Sequence, residues 1–160
     1  MNLLRYFKVT IVAACLLAAV PATLSAQEAA TSETAKLVAV LTSDADTFAK
    51  AKACQRLVLV GDESAVPALA GLLADEKLSA YARDALEGIP GAASDAALRE
   101  ALTRLEGERL IAVLGSIGAR RDVEAIDAVA KLLESDDAAI AVAAARALDR
   151  KSTRLNSSHT

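Results

Sequence analysis

Residues 61–86 read GDESAVPALAGLLADEKLSAYARDAL and carry two apolar patterns with helical spacing. Leu69, Leu72 and Leu73 follow an i, i+3, i+4 spacing, and Ala82 and Leu86 open an i, i+4, i+7 spacing. Each spacing places its members on one face of an α-helix. The stretch therefore predicts two consecutive helices, A and then B.

Both patterns recur along the chain at a nearly constant interval. The A pattern ends, in successive units, at Leu41, Leu73, Leu102 and Leu133. The B pattern appears as Ala53/Leu57/Val60, Ala82/Leu86/Ile89 and Leu110/Leu114/Ile117. A bundle formed once would not need a constant repeat length, whereas repeat proteins do. The sequence therefore predicts an all-α fold, an α-solenoid of about four helix pairs.

The composition agrees with this fold class. Hydrophobic residues make up 54% of the chain and aromatic residues only 2%, so that Ala, Leu and Val supply nearly all the apolar side chains. Such a mixture favours closely packed helices over a β-sandwich. We expect the core to contain Leu69, Leu73, Leu86, Ile89, Leu102, Leu114 and Ile117.

Polar residues and glycines mark the predicted helix ends. Side chains at predicted N-caps offer an oxygen to the free N–H groups of the first turn. We place these N-caps at Ser32, Ser64, Ser79, Ser94 and Asp122. A left-handed residue is expected after each B helix, at Gly61, Gly91 and Gly118. Pro67 falls in a first helical turn, where its missing N–H costs little.

The unit at 61–86 resembles the HEAT-repeat superfamily, and within it the short HEAT-like repeats of the phycobilisome-lyase type. The stretches KACQRLVLVG, LLADEKLSAYARDALEGIPG and SIGARRD resemble exported bacterial HEAT-repeat proteins of unknown role. The resemblance covers about residues 36–148 and implies a HEAT-repeat domain at 32–148. It implies a binding surface and carries over no catalytic or ligand residue, because HEAT repeats are specific for fold and not for function.

The N-terminus has the pattern of a signal peptide, residues 1–26. Arg5 and Lys8 precede a twelve-residue apolar run that Pro21 ends, and small residues precede Gln27. The run is short for a membrane span. We therefore predict a periplasmic or secreted protein, with a short linker at 27–31 and no stable membrane span after cleavage. A retained N-terminal anchor, or a lipoprotein modified at Cys15, is the alternative.

The last twelve residues, 149–160, interrupt the repeat. The stretch DRKSTRLNSSH at 149–159 is identical to one reading frame of a common short-read sequencing adapter, and Lys151 stands where the B pattern requires an apolar residue. We expect a tail of non-native origin after Leu148. A solenoid without a polar cap exposes apolar surface, so we also expect fraying from Asp137 onward or self-association through this end. Ile140, Ala144 and Leu148 are the residues expected to be left uncovered.

The sequence contains no pattern typical of an enzyme or of a nucleic-acid-binding domain. Residues 27–148 hold 13 basic and 20 acidic residues and no histidine. A nucleic-acid interface is usually basic, and a Ser–His or Cys–His pair needs a histidine. We predict no catalytic residue, no cofactor and no metal site, and we expect Cys54 to be a small buried residue. Acidic pairs such as Asp62-Glu63, Asp75-Glu76 and Asp136-Asp137 are expected to complement helix N-termini.

Four residues are candidates for contact with a protein partner. An aromatic residue beside an arginine, as Tyr81 is beside Arg83, can anchor an interface; alternatively Tyr81 fills a gap between neighbouring repeats. Arg120 and Arg121 could bind an anion, or could lie in a solvated turn or pair with Asp122 and Glu124. The predicted function is a non-catalytic interaction scaffold. The alternatives are a structural or regulatory segment of a larger exported enzyme, or a lyase-like HEAT protein.

Overall fold

The computed structural model describes residues 33–155, with side chains described as far as Asp149. The predicted signal peptide, the linker, Ser32 and the last five residues lie outside this part. Eight α-helices occur in the described chain, and no strand does. They are α1 (33–42), α2 (Thr47–Val60), α3 (Val66–Leu72), α4 (Ser79–Gly88), α5 (Ala92–Ala101), α6 (Gly107–Arg120), α7 (Ile126–Lys131) and α8 (Ala138–Leu155). The predicted all-α class and the eight helices are confirmed.

Short 3₁₀ turns accompany two of the A segments. Glu63–Ala65 leads into α3 and Val123–Ala125 leads into α7, while Leu132–Glu134 follows α7. The first two turns begin at an aspartate whose carboxylate accepts the N–H two residues later: Asp62 from Ser64 (2.9 Å) and Asp122 from Glu124 (3.0 Å). Asp122 is thus the N-cap that the sequence predicts, and Pro67 lies in the first turn of α3 as expected.

Three predicted N-caps are wrong. Ser64 is not the cap because Asp62 takes that place, and the Ser64 hydroxyl donates to the Asp62 carboxylate. Ser79 is the first residue of α4, and the turn before it is held by Asp75, which accepts from the backbone N–H groups of Lys77 and Leu78 (both 2.8 Å). Ser94 is a buried residue inside α5. In place of Ser64 and Ser79, the acceptor is an aspartate two and four residues earlier, respectively, and a charged carboxylate accepts a hydrogen bond more strongly than a hydroxyl does.

The predicted glycine positions are also corrected. Gly61 does end α2, but with an extended backbone (φ −68°). Gly91 has a positive φ of 105° but precedes α5 as its N-cap. Gly118 is a buried residue inside α6, and the left-handed residue that ends this helix is Arg121 (φ 58°, ψ 40°). The glycines therefore serve different purposes in units that look alike in sequence.

The helices pair in chain order, α1 with α2, α3 with α4, α5 with α6 and α7 with α8. Each second helix also packs against the second helix of the next pair: α2 against α4, α4 against α6, and α6 against α8. The A helix α3 packs against α5 in the same way. The seven predicted core residues are all buried in these contacts, which confirms the predicted register of the B helices.

Two contacts between second helices are close enough to require glycine. A Cβ at Gly88 of α4 would lie 2.8 Å from the Val58 carbonyl oxygen of α2. A Cβ at Gly118 of α6 would lie 2.9 Å from the Ala147 Cα of α8. Any larger residue would push the two backbones apart, because no flexible side chain is there to yield. Glycine within a helix costs stability by itself, so its use here reflects the close approach.

The expectation for the last pair is only partly right. Ile140 and Ala144 are buried rather than uncovered, and Leu148 is half-buried, because this face of α8 packs against α6 and α7. The large apolar residues of this pair that are exposed are Val123, Leu133 and Val142. Among the helices that the structure describes, none is both long enough and apolar enough to cross a membrane.

Candidate protein-binding surface

Arg120, in the last turn of α6, is almost buried and is bound within the chain. Its Nε donates to Asp95 Oδ1 of α5 (2.5 Å). Its two Nη groups donate to four carbonyl oxygens, those of Leu86, Glu87, Ile89 and Gly91, at 2.9–3.0 Å. The first three carbonyls belong to the end of α4, where helical partners run out. The Arg120 guanidinium thus caps the C-terminal end of α4 and also binds the first turn of α5.

Arg121 differs from Arg120 in its exposure and in its backbone conformation. It is exposed, and it has the left-handed backbone conformation that lets its N–H bond back to Gly118 and Ile117. The expected pairing of Arg120–Arg121 with Asp122 and Glu124 is wrong. Both carboxylates instead bind Arg99 of α5, at 2.6 Å for Asp122 and 2.9 Å for Glu124. Sequence reasoning missed Arg99, since it lies 23 residues from its nearer partner.

Arg83 takes part in a polar contact between α4 and α6. Its Nη1 donates to Glu87 Oε1 (2.9 Å) and to Ser116 Oγ of α6 (3.2 Å), and Ser116 Oγ donates to the same Glu87 oxygen (2.5 Å). Ser116 is fully buried. Tyr81 is on the same helix and is exposed. Within the described chain, the aromatic ring that lies beneath a cation is Phe48, 5.3 Å from the Lys52 Nζ.

A cleft of about 630 Å³ opens between the first turns of α4 and α6. Its floor is apolar, from Leu73, Ala112 and Val113, and its rim is charged. The rim residues are Glu76, Arg83, Glu106, Glu108 and Arg109. Of the four candidate residues, only Arg83 lines this cleft. Tyr81, Arg120 and Arg121 do not line it, so the structure does not bring the four candidates together.

The charges at the rim of this cleft are largely unpaired. Glu76, Glu106, Glu108 and Arg109 are exposed, and none of them makes an ion pair with another described residue. Arg83 is neutralised by Glu87 at 2.9 Å and Asp84 at 3.4 Å. Arg109 was not a candidate in the sequence analysis. Its place at the cleft depends on the position of the turn between α5 and α6 beside α4, which the sequence pattern does not contain.

A second groove, of about 510 Å³, lies between α6 and α8. Two residues of α6 and six of α8 line it: Ile111, Gly115, Ala139, Val142, Ala143, Arg146, Ala147 and Asp149. Gly115 contributes to its depth, since a Cβ there would meet no atom within 4 Å. The grooves follow one another along the same set of second helices, on the side that carries the candidate Arg83.

The Cys54 thiol and the Glu33 carboxylate each have surroundings that shift their pKa. Cys54 is completely buried, and burial raises the pKa of its thiol to about 11. A thiol in that state is protonated at neutral pH and is a poor nucleophile. Glu33 is bound by Arg56 at 2.6 Å, and this hydrogen bond lowers the pKa of the Glu33 carboxyl. No group of three or more metal-ligating side chains occurs within the described residues.

In each of the three acidic pairs, one aspartate has the role that the sequence predicts. Asp62 and Asp75 accept backbone N–H groups before α3 and α4, and Asp137 accepts the Ala139 N–H at the start of α8 (2.8 Å). Carboxylates in this position complement the positive end of a helix. These three aspartates therefore have a structural role at the helix starts.

Comparison with known proteins gives no match: no family model, no curated protein and no solved structure is detectably similar to this chain.

Proposed function

We propose that this chain is a non-catalytic interaction scaffold, an α-solenoid of HEAT-like helix pairs that binds another protein along its second helices. The contacts of α2 with α4, of α4 with α6 and of α6 with α8 support the solenoid, because repeat proteins are built from contacts between neighbouring units. The sequence resemblance of residues 61–86 to HEAT repeats supports the same proposal.

The observation that carries the proposed function is the cleft between α4 and α6. Its apolar floor and charged rim reproduce the anatomy of protein–protein interfaces, in which a dry apolar centre is surrounded by polar residues. Arg109 stands at this rim without a partner in the described chain, and arginine is one of the residues that most often dominate binding energy. Tyr81, exposed on α4, could extend such a contact.

The experiment that tests this proposal is site-specific photo-crosslinking in the cell. Ala80 lines the cleft and is exposed, whereas Ala96 is an equally simple exposed alanine on the A helix α5. We expect Ala80→p-benzoylphenylalanine to give a defined protein adduct and Ala96→p-benzoylphenylalanine to give none. Adding Arg109→Glu to the first variant should abolish the adduct. Equal adducts at both positions, or an adduct indifferent to Arg109, would argue against a binding face here.

We also propose that the protein acts outside the cytoplasm, on the basis of the leader-like pattern of residues 1–26. Mass spectrometry of the exported chain should find Gln27 as its first residue. A product that still contains residues 1–26 would support the N-terminal anchor instead.

A further inference from the structure

The exposed side of α2 combines large apolar side chains with a basic one. Phe48, Lys52, Gln55 and Leu59 follow an i, i+4, i+7, i+11 spacing, which places them on one face of the helix. Phe48 is 70% exposed and Leu59 is 75% exposed, more than any other large apolar residue of the described chain. The Lys52 Nζ lies 5.3 Å from the centre of the Phe48 ring. We call the surface formed by these four residues the α2 face.

The exposed surface continues from α2 onto α4. The positions of α4 that lie 29 residues after those of the α2 face are Lys77, Tyr81, Asp84 and Gly88, and all four are exposed. The two helices pack against each other, with Gly88 beside Val58. The α4 positions therefore extend the α2 face, to which Tyr81 adds an aromatic ring and Lys77 a second cation.

The helices of the first pair differ in charge from the rest of the described chain. Residues 33–42 and 47–60 hold four basic residues and one acidic residue, and the acidic residue, Glu33, is bound by Arg56 at 2.6 Å. The turn between these helices adds two aspartates, of which Asp46 is the N-cap of α2. Residues 61–148 hold nine basic and sixteen acidic residues. A basic helix pair in an acidic protein favours approach of that pair to a negatively charged partner.

The cations of the extended surface are available to such a partner. Lys52 and Lys77 are exposed, and neither makes an ion pair with another described residue. Asp84, the acidic residue of this surface, lies 3.4 Å from Arg83. The surface thus presents two unpaired lysines among its apolar side chains.

The shape of this surface indicates which partner it fits. Phe48 and Leu59 line neither the cleft between α4 and α6 nor the groove between α6 and α8. They project from α2 about 16 Å apart along the helix axis. A folded protein would have to offer each of them a matching pocket, whereas a fluid lipid surface adapts to both. Apolar and basic residues that share the exposed side of a helix are typical of helices lying at a membrane surface.

We infer that the α2 face and its extension on α4 bind peripherally to an anionic lipid bilayer. Phe48 and Leu59 enter the headgroup region, and Lys52 and Lys77 contact lipid phosphates. Long lysine side chains can keep their charge at the phosphates while their methylene groups lie beside apolar neighbours. Each lysine near an anionic leaflet adds to the attraction. This inference does not depend on the proposed protein-binding cleft.

Cosedimentation with lipid vesicles tests it. The chain from Gln27 onward is used, because it contains every described helix and lacks the apolar segment 1–26, which could enter lipid by itself. Vesicles of phosphatidylcholine with about 30% phosphatidylglycerol should bind the wild-type chain, and vesicles of phosphatidylcholine alone should bind much less of it. Sodium chloride at about 0.5 M should release the chain, because it screens the lysines from the phosphates.

Single substitutions locate the contact. Phe48→Ser and Leu59→Ser should each weaken binding to the anionic vesicles about fivefold or more, because each removes an inserted apolar side chain. Lys52→Glu should weaken it as well, by charge repulsion. Val123→Ser is the matched apolar control, since Val123 is 60% exposed on the fourth pair, and Lys131→Glu is the matched charge control. Both controls should bind like the wild type.

Insertion itself is measured with tryptophan fluorescence, because the sequence contains no tryptophan. Phe48→Trp should shift its emission to shorter wavelength on anionic vesicles and should be quenched by brominated lipid, whereas Val123→Trp should show neither effect. A wild-type chain that stays in solution beside anionic vesicles would overturn the inference. So would a Val123→Ser chain that loses as much binding as Phe48→Ser. A chain that ignores vesicles but forms a protein adduct in the cell through Phe48→p-benzoylphenylalanine would assign this surface to an acidic protein instead.

Discussion

At the scale of single residues, Arg120 is the most connected side chain of the described molecule. It binds one carboxylate and four carbonyl oxygens that are distributed between residues 86 and 95. A planar guanidinium with five N–H donors can satisfy such a set, whereas a lysine ammonium cannot. Its partners lie 25 to 34 residues away in sequence, which is why no local pattern in SIGARRD distinguishes it from Arg121.

We expect Arg120→Ala to lower the free energy of unfolding by about 2–3 kcal/mol, because it leaves carbonyl groups at the end of α4 and the Asp95 carboxylate without their charged donor. Arg121→Ala is the matched control, since it removes the same charge from the next residue, and it should change stability by less than about 0.5 kcal/mol. Urea unfolding followed by circular dichroism measures both. Equal effects of the two variants would show that the hydrogen bonds of Arg120 contribute little.

A substitution of Ser94 is expected to stabilise the protein, in contrast to the substitution of Arg120. Its Oγ is buried without a hydrogen-bond partner, and the corresponding residues of the second and fourth A segments are Ala65 and Ala125, both fully buried. A buried hydroxyl without a partner is destabilising, so Ser94→Ala should raise the free energy of unfolding by about 1 kcal/mol. Ser116→Ala, which removes a satisfied buried hydroxyl, should lower it. A stabilising Ser116→Ala together with a destabilising Ser94→Ala would contradict this assignment.

At the scale of helices, the buried leucines of the second helices are the main determinants of packing. Leu86 and Leu114 are completely buried between neighbouring helices. Leu86→Ala or Leu114→Ala should each cost about 2–5 kcal/mol of unfolding free energy, from lost burial and from the cavity that remains. Leu59→Ala, the same change at an exposed position of α2, should cost less than about 0.5 kcal/mol. Thermal or chemical unfolding that ranks Leu59→Ala with the other two would mean that the helix register is wrong.

Helix type and core could be predicted from the sequence, whereas only some of the helix ends could. The spacing of Leu69, Leu73 and Leu86 fixes which face of each helix is apolar, and the structure buries all three. The ends depend on small differences between competing acceptors, so Asp62 and Asp75 replaced the predicted Ser64 and Ser79. The cleft could not be predicted, because it depends on how α4 lies relative to the turn before α6. The spacing of residues along the sequence does not contain that information.

At the scale of the whole molecule, the pairs differ in how many neighbours support them. α4 packs against both α2 and α6, whereas α8 packs against α6 and has no further second helix beyond it in the described chain. We expect amide hydrogen exchange at dilute concentration to be faster in residues 138–148 than in α4 and α6, because an end unit opens with fewer lost contacts. Equal protection of all three segments in a demonstrated monomer would contradict the expected fraying.

The boundaries between pairs also differ in the kind of contact that forms them. Arg83, Glu87, Ser116 and the Arg120 contacts join the second pair to the third by side-chain hydrogen bonds, and Arg99 with Asp122 joins the third to the fourth. Among the described hydrogen bonds, none from a side chain joins the first pair to the second. The contact between these pairs is the packing of α2 on α4, in which Gly88 lies against Val58. A substitution that removes a hydrogen-bonding side chain therefore weakens the boundary between the second and third pairs, whereas the boundary between the first and second pairs responds to changes of side-chain volume.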